Sequence, residues 1–113
     1  MLAEKNRLKK EKDFQDFRKI KKSFKGDFLI LKKKKNNFPS KRFGFVVSKK
    51  VSSKAVARNK IKRILREAVR EKIEAVKEGY DIVFFAKGKS KEEPFSSFKK
   101  EVESLLKKAD LLK

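Results

Sequence analysis

The chain has 113 residues, a length typical of one domain with a single modest core. Its 35 Lys and Arg outnumber 15 Asp and Glu, and the net charge of +20 indicates a polyanionic partner. Nucleic acid is the usual partner of such a chain, and an anionic membrane surface is the alternative on charge alone. The absence of Cys and His excludes disulfides, thiolate metal sites and the commonest general base.

The start of the chain, MLAEKNRLKKEKDF, lacks the apolar stretch of a signal peptide. No apolar run in the sequence approaches the length of a transmembrane helix. We therefore expect a soluble protein of the cytoplasm that has no membrane partner.

The first elements in chain order are an arm and a helix. Residues 1–9 predict an irregular basic N-terminal arm. Phe14, Phe17 and Ile20 then form a rough apolar stripe among charged residues, which predicts a helix over residues 10–22.

Two strands are predicted after this helix. Gly26 interrupts the helical pattern, and the apolar stretch after it predicts a strand over residues 27–32. The sequence KKKKNNFPS, residues 32–40, carries turn residues and predicts a basic loop. The alternation in RFGFVVSKK predicts a second strand over residues 42–50, and a hairpin is the simplest pairing of the two strands.

The longest predicted helix covers residues 54–78. Either Ser52 or Ser53 is its candidate N-cap, because a serine hydroxyl can accept a hydrogen bond from the first turn. Gly79 is a natural residue for the end of the helix.

The last two elements complete an alternating order. The apolar stretch YDIVFFA predicts a central strand over residues 80–86, and an amphipathic helix that begins near Pro94 closes the chain. The order α-β-β-α-β-α predicts an α+β fold, a small α/β sandwich with helices packed on a mixed β-sheet. Residues 1–113 therefore form a single domain, and its charge indicates binding to nucleic acid.

The long helix sorts its side chains into three arcs at 100° per residue. The apolar arc, which would face the sheet, contains Ile61, Ile64, Leu65, Ala68, Val69 and Val76. The adjacent basic arc contains Asn59, Lys62, Arg63, Arg66 and Arg70. The acidic arc contains Glu67, Glu71, Glu74 and Glu78.

This sorting separates two interpretations of the helix. A helix that needs only solubility usually mixes both signs around its exposed side. Pairs such as Arg63 with Glu67 and Arg70 with Glu74 contribute only about 0.3–0.5 kcal/mol each, too little to explain the sorting. A single Lys here is more often a solvated side chain, but the arc as a whole favours phosphate binding. Asn59 is either a local cap or a polar contact for a base or ribose.

The segment VSKKVSSKAVARNKIKRILRE resembles the signature of the protein subunit of bacterial ribonuclease P. That signature is a strand ending in S-K-K and a helix opening with A-V-x-R-N-R/K-I-K-R, matched here by residues 48–50 and 55–63. Near the start, NRLKKEKDF is similar to the R-L-x-x-x-x-D-F pattern of the family. The resemblance covers nearly the whole chain, and its central motif is specific.

The resemblance implies a fold and an activity. The long helix would make a left-handed crossover between parallel strands, an exception to the usual right-handed rule. The protein would join a catalytic RNA that, with Mg2+ bound mainly by the RNA, removes the 5′ leader from precursor tRNA by endonucleolytic cleavage. The protein would contribute no catalytic residues and would have no small-molecule substrate.

The resemblance also implies two sets of site residues. Those that would bind the catalytic RNA are Lys49, Lys50, Arg58, Asn59, Lys60, Lys62, Arg63 and Arg66. Those that would bind the leader of precursor tRNA are Phe14, Phe17, Arg18 and Leu31. The sequence departs from the family at Arg18 and Leu31, where aromatic residues are common. At Lys60 the usual Arg is absent, so the charge remains but the bidentate fork is lost.

Other interpretations share part of this support. A structural RNA-binding protein, such as a ribosomal protein, would have the same charge, size and fold class. A DNA-binding module is disfavoured because the long helix lacks the short preceding helix and turn of a helix-turn-helix motif. For Phe14, packing in the core is the plain alternative to a place in the leader-binding cleft.

Overall fold

Four strands form one mixed sheet in the computed structural model, which describes residues 2–8 and 11–113. The strands are β1 (Phe24–Lys25), β2 (Leu29–Lys35), β3 (Arg42–Val47) and β4 (Tyr80–Ala86). The helices are α1 (Glu11–Arg18), α2 (Ala55–Arg70) and α3 (Phe95–Lys108). Short 3-10 turns cover Glu4–Asn6, Ile73–Ala75 and Gly88–Glu92. The predicted α+β sandwich is confirmed, with β1 as an additional short strand.

The sheet order β1-β2-β4-β3 shows that the predicted hairpin is wrong. β4 lies between its partners, antiparallel to β2 and parallel to β3. Its successive residues Ile82, Val83 and Phe84 are all buried, so this strand needs cover on both faces and takes the central position. The parallel strands β3 and β4 are joined through α2. The left-handedness of that crossover stays a prediction of the resemblance.

The predicted basic loop over residues 32–40 is shorter than expected, because β2 continues through Lys35. The lysines of this run alternate between the two faces of the sheet, and the ammonium groups of Lys32, Lys33 and Lys34 lie over aromatic rings. Lys32 Nζ is 5.5 Å from the centre of the Phe85 ring, and Lys33 Nζ is 5.3 Å from that of Tyr80. Such packing of long side chains lets a run of lysines remain a strand.

The long helix ends at Arg70, eight residues before the predicted end at 78. The chain must then turn so that Val76 can enter the core, where it is fully buried and pairs with Leu112. Gly79 has φ +86 and belongs to the turn before β4, not to the end of the helix. At the other end, Ser52 Oγ accepts a hydrogen bond from the Lys54 N–H at 3.2 Å, but neither predicted serine is the N-cap residue, which is Lys54.

Alternate residues of the strands make two different faces. On what we call the core face, the side chains under α2 and α3 are buried: Leu29, Leu31, Phe43, Ile82 and Phe84. The opposite side, which we call the open face, is covered only in part by α1. It carries partly exposed side chains of β2, β3 and β4: Ile30, Lys32, Lys34, Val46 and Phe85.

The expected irregular arm is a packed segment over residues 2–8. Leu2 is buried in the core, and the Leu8 N–H donates a 2.8 Å hydrogen bond to the Phe43 carbonyl at the edge of β3. The rest of that expectation, residues 1 and 9, lies outside the described residues, as does residue 10 of the predicted first helix. α1 ends at Arg18, before the predicted end at residue 22.

None of the helices within residues 2–8 and 11–113 combines the length and apolar character that crossing a bilayer requires.

Candidate RNA-binding surfaces

The first candidate surface is the outer side of α2, which we call the cationic side. The helix packs its buried residues Ile61, Leu65, Ala68 and Val69 against the sheet and α3. The predicted catalytic-RNA-binding residues remain fully or partly exposed: Lys49, Lys50, Arg58, Asn59, Lys60, Lys62, Arg63 and Arg66. Lys49 and Lys50 lie in the turn that follows β3, before α2 begins. The predicted set therefore lies on α2 and in the turn before it, with every side chain at least partly exposed.

The cations of the predicted set are uncommitted, which means that none forms an ion pair with a carboxylate of the described residues. They are Lys49, Lys50, Arg58, Lys60, Lys62, Arg63 and Arg66. Further along the same helix, Arg70 pairs with Glu67 at 3.4 Å. Cations without a protein counter-charge are available to neutralise phosphates and to release their counterions.

Arg58 has a different local role. Its guanidinium donates a 2.9 Å hydrogen bond to the carbonyl of Ser52, in the turn that precedes α2. That contact ties the first turn of α2 to the segment carrying Lys49 and Lys50. A substitution of Arg58 would therefore remove this local contact as well as any contact with RNA, so Arg63 and Arg66 are better positions at which to test RNA binding.

A groove at the edge of β3 connects the two predicted surfaces. Its volume is about 380 Å³, and it is lined by Arg7, Leu8, Phe14, Phe43, Gly44, Phe45, Lys62 and Arg66. Phe14 lies directly against the backbone of β3, because a Cβ built at Gly44 would be only 2.5 Å from the ring. Glycine is thus required at position 44 for this placement of Phe14. The groove sets a half-buried aromatic ring beside two uncommitted cations.

Two of the four predicted leader-binding residues lack the exposure that direct contact needs. Leu31 has no exposed surface and belongs to the core face, where it pairs with Phe24 and Phe84. Phe17 of α1 is also fully buried, because it packs with Leu8 and Val83. A side chain with no exposed surface cannot stack on a base in this conformation. We therefore correct both assignments.

The other two predicted leader-binding residues remain accessible. Phe14 is half-buried in the groove at β3, and Arg18 is exposed at the end of α1. Both lie on the side of the sheet that α1 covers. Their contact with a leader stays a prediction.

The sequence interpretation missed the residues of the open face. Phe85 is partly exposed beside Val46 and Ile20, and the Lys32 ammonium lies 5.5 Å from its ring centre. Lys34 pairs with Asp16 of α1 at 3.1 Å. Period-2 alternation in the lysine run could have found these residues, but only with the pairing of β2 to β4 known.

An ion pair holds one end of the open face. Arg42 Nε and Nη2 donate to the two carboxylate oxygens of the buried Asp81 at 2.8 and 2.7 Å, and Asn36 Nδ2 donates to the same carboxylate at 2.9 Å. The hydrogen bond to Asp81 raises the pKa of the Arg42 guanidinium. The ring of Phe38 lies 4.8 Å from that guanidinium. These contacts fix the β2–β3 connection on the sheet.

A cationic helix beside a sheet face that carries aromatic and basic side chains defines an RNA-binding α+β domain. Comparison with known proteins agrees: the model of the Ribonuclease P family matches residues 2–110. The chain therefore belongs to the ribonuclease P protein family, and it is an RNA-binding component of an endoribonuclease that processes tRNA.

Individual relatives support this assignment. The chain is 42% identical to the ribonuclease P protein component of Clostridioides difficile over 105 residues, which cover 92% of this chain and 91% of that protein. The structure of the Staphylococcus aureus RNase P protein matches with a TM-score of 0.84 and 30% identity, covering 96% of this chain and 98% of that one. The RNase P protein of Thermotoga maritima matches with a TM-score of 0.80 and 31% identity, covering 90% and 96%. These full-length matches favour the ribonuclease P interpretation over a ribosomal protein.

Proposed function

We propose that this chain binds the catalytic RNA of ribonuclease P through the cationic side of α2. We also propose that it binds the 5′ leader of precursor tRNA on the open face, in the cytoplasm. The RNA would carry out the hydrolysis that frees the leader. The protein would increase the affinity of the assembled enzyme for its substrate.

The observation that carries the proposal is the uncommitted charge on α2. Arg63 and Arg66, with the neighbouring lysines, have no acidic partner in the described part of the chain, although paired cations are common elsewhere on the surface. In a protein with net charge +20, cations left in this state add self-repulsion. Phosphates of a bound RNA would relieve that repulsion.

The open face is suited to single-stranded nucleic acid. Phe85 offers a partly exposed ring, and Lys32 and Lys34 place ammonium groups near the same face. Stacking on aromatics combined with backbone contacts from cations binds single strands without strong sequence preference. Leaders differ in sequence from one precursor tRNA to another, so this tolerance suits them.

For Mg2+, we propose binding mainly by the RNA. Within residues 2–8 and 11–113, no three acidic side chains come together as a candidate metal site. Two of the buried carboxylates serve the fold instead: Asp81 holds Arg42, and Glu101 accepts hydrogen bonds from the backbone N–H groups of Asp27 and Phe28. We assign no metal ligand to this chain.

Reconstitution with a bacterial ribonuclease P RNA at low Mg2+ tests the whole proposal. We expect addition of the chain to increase 5′ processing of precursor tRNA and to tighten its binding. The gain in binding should be smaller for a tRNA that has no leader. If neither processing nor binding changes, the proposal is wrong.

A double variant tests the role of α2. Arg63→Ala with Arg66→Ala should weaken binding of the catalytic RNA and reduce the slope of log affinity against log salt by about two. The matched control is Lys72→Ala with Lys107→Ala, which removes two cations that both pair with Glu103. An unchanged slope in the first double variant, or an equal loss in the second, would contradict phosphate contact by this side of α2.

A further inference from the structure

An exposed aromatic side chain lies beside α2 that the sites described above do not use. Phe95, the first residue of α3, is 40% exposed and belongs to neither hydrophobic cluster. In the described residues only two other large apolar side chains are comparably exposed, Phe38 and Val56. Val56 lies in the first turn of α2, near the same side of the molecule. An exposed aromatic ring beside a cationic surface is a candidate stacking contact for nucleic acid.

Phe95 faces a groove between α2 and α3. The groove has a volume of about 500 Å³, and its lining residues are Lys60, Arg63, Ile64, Glu67 and Phe95. Because residues 60, 63, 64 and 67 lie three or four apart, they share one stripe of α2. This stripe adjoins the cationic side, and two of its members, Lys60 and Arg63, belong to both.

The electrostatics of the groove favour an anion. Among the described residues that line it, Glu67 is the one acidic side chain, and it pairs with Arg70 at 3.4 Å. Lys60 and Arg63 have no acidic partner in the described part of the chain. Lys99 adds a third cation, whose ammonium lies 5.8 Å from the centre of the Phe95 ring while pairing with Glu71 at 3.4 Å. An aromatic ring with uncommitted cations on its rim is the combination that binds an unpaired nucleotide.

We propose that Phe95 stacks against an unpaired base of the RNA partner, with Lys60 and Arg63 contacting the phosphates on either side of it. This inference rests on the proposed function and extends it, because it adds a stacking contact to a surface otherwise described by charge. The partner would present a bulged or looped nucleotide to the groove. A regular helix would not suffice, since its bases are stacked inside.

The alternative occupant is a second copy of this chain. Two chains of net charge +20 repel each other, and the cations beside Phe95 would face one another across such an interface. The polyanionic partner already inferred has the complementary charge. We therefore favour RNA and make self-association an outcome of the test.

Substitutions at Phe95 separate stacking from packing. Phe95→Ala and Phe95→Leu should each weaken binding of the catalytic RNA by about tenfold, because neither side chain can stack on a base. Phe95→Tyr should keep the affinity. The slope against salt should stay unchanged in all three variants, since no phosphate contact is removed. Phe38→Ala, at the other strongly exposed phenylalanine, is the matched control and should bind normally.

A fluorescence experiment can detect stacking at position 95 directly. The chain contains no Trp, so Phe95→Trp introduces a single reporter. We expect its emission to be quenched when the catalytic RNA is added, and Phe38→Trp to show no such quenching. Thermal unfolding of each variant checks that the fold is retained.

The outcomes distinguish this inference from the proposed function. If the chain binds RNA, and Arg63→Ala with Arg66→Ala weakens that binding, but Phe95→Leu and Phe95→Trp show no effect, the inference is wrong and the proposed function stands. If the wild-type chain binds no ribonuclease P RNA, the proposed function itself fails. If the chain sediments as a dimer without RNA and Phe95→Leu makes it a monomer, the groove is a self-association site and the inference is overturned.

Discussion

The two faces of the sheet are built from neighbouring residues of the same strands, yet they differ in almost every physical property. On the core face, Phe84 has no exposed surface and lies beneath helices α2 and α3. On the open face, the next residue, Phe85, is partly exposed beside a lysine. Alternation along a strand is enough to place one aromatic ring in the core and its neighbour at a surface.

The difference shows how a small domain can stabilise itself and still present apolar area to a partner. A 113-residue chain buries one modest core, and here two helices enclose it. The shorter α1 covers the opposite face only in part, and its Phe17 packs there with Leu8 and Val83. We therefore expect substitutions on the core face to reduce stability and substitutions on the open face to reduce binding.

The largest loss of stability should come from a substitution on the core face. Phe84→Ala removes a fully buried ring from the centre of β4 and leaves a cavity. The free energy of unfolding should fall by about 3–5 kcal/mol, as measured by chemical denaturation. A loss below about 1 kcal/mol would show that this face is not the main core.

Substitution of the next residue, Phe85, should reduce substrate binding more than it reduces stability. Phe85→Ala removes a ring that is already partly exposed, so the free energy of unfolding should fall by about 1 kcal/mol. In the reconstituted enzyme, affinity for precursor tRNA should fall by about tenfold, while affinity for a substrate without a leader should not change. Equal losses for the two substrates would place Phe85 outside the leader-binding surface.

Much of this arrangement could be predicted from local patterns. The strand YDIVFFA matches β4 over Tyr80–Ala86, and the apolar arc of α2 is buried at Ile61, Leu65, Ala68 and Val69. The start of α3 directly after Pro94 is confirmed as well. These features depend on periodicity within one element, which the sequence displays directly.

Features that depend on pairing between distant segments could not be predicted in this way. The predicted hairpin is wrong because β4, which follows β3 only after the whole of α2, replaces β2 as the partner of β3. Leu31 was assigned to the leader by similarity, but its position in the alternation of β2 places it on the core face. A shift of one residue along a strand changes the face, and only the register with β4 fixes which face that is.

Two adjacent lysines of β2 provide the finest comparison of the faces. Lys32 lies on the open face over Phe85, and Lys33 lies on the core-face side, where its ammonium donates to the carbonyl of Ala109 at the end of α3. Lys32→Ala should weaken leader binding a few-fold and reduce the salt slope of precursor binding by about one. Lys33→Ala should leave that slope unchanged and lower the free energy of unfolding by about 1 kcal/mol. Both variants lose one positive charge, so a difference in slope reports the face and not the net charge. Equal slopes would mean that the leader does not follow the open face past Lys32.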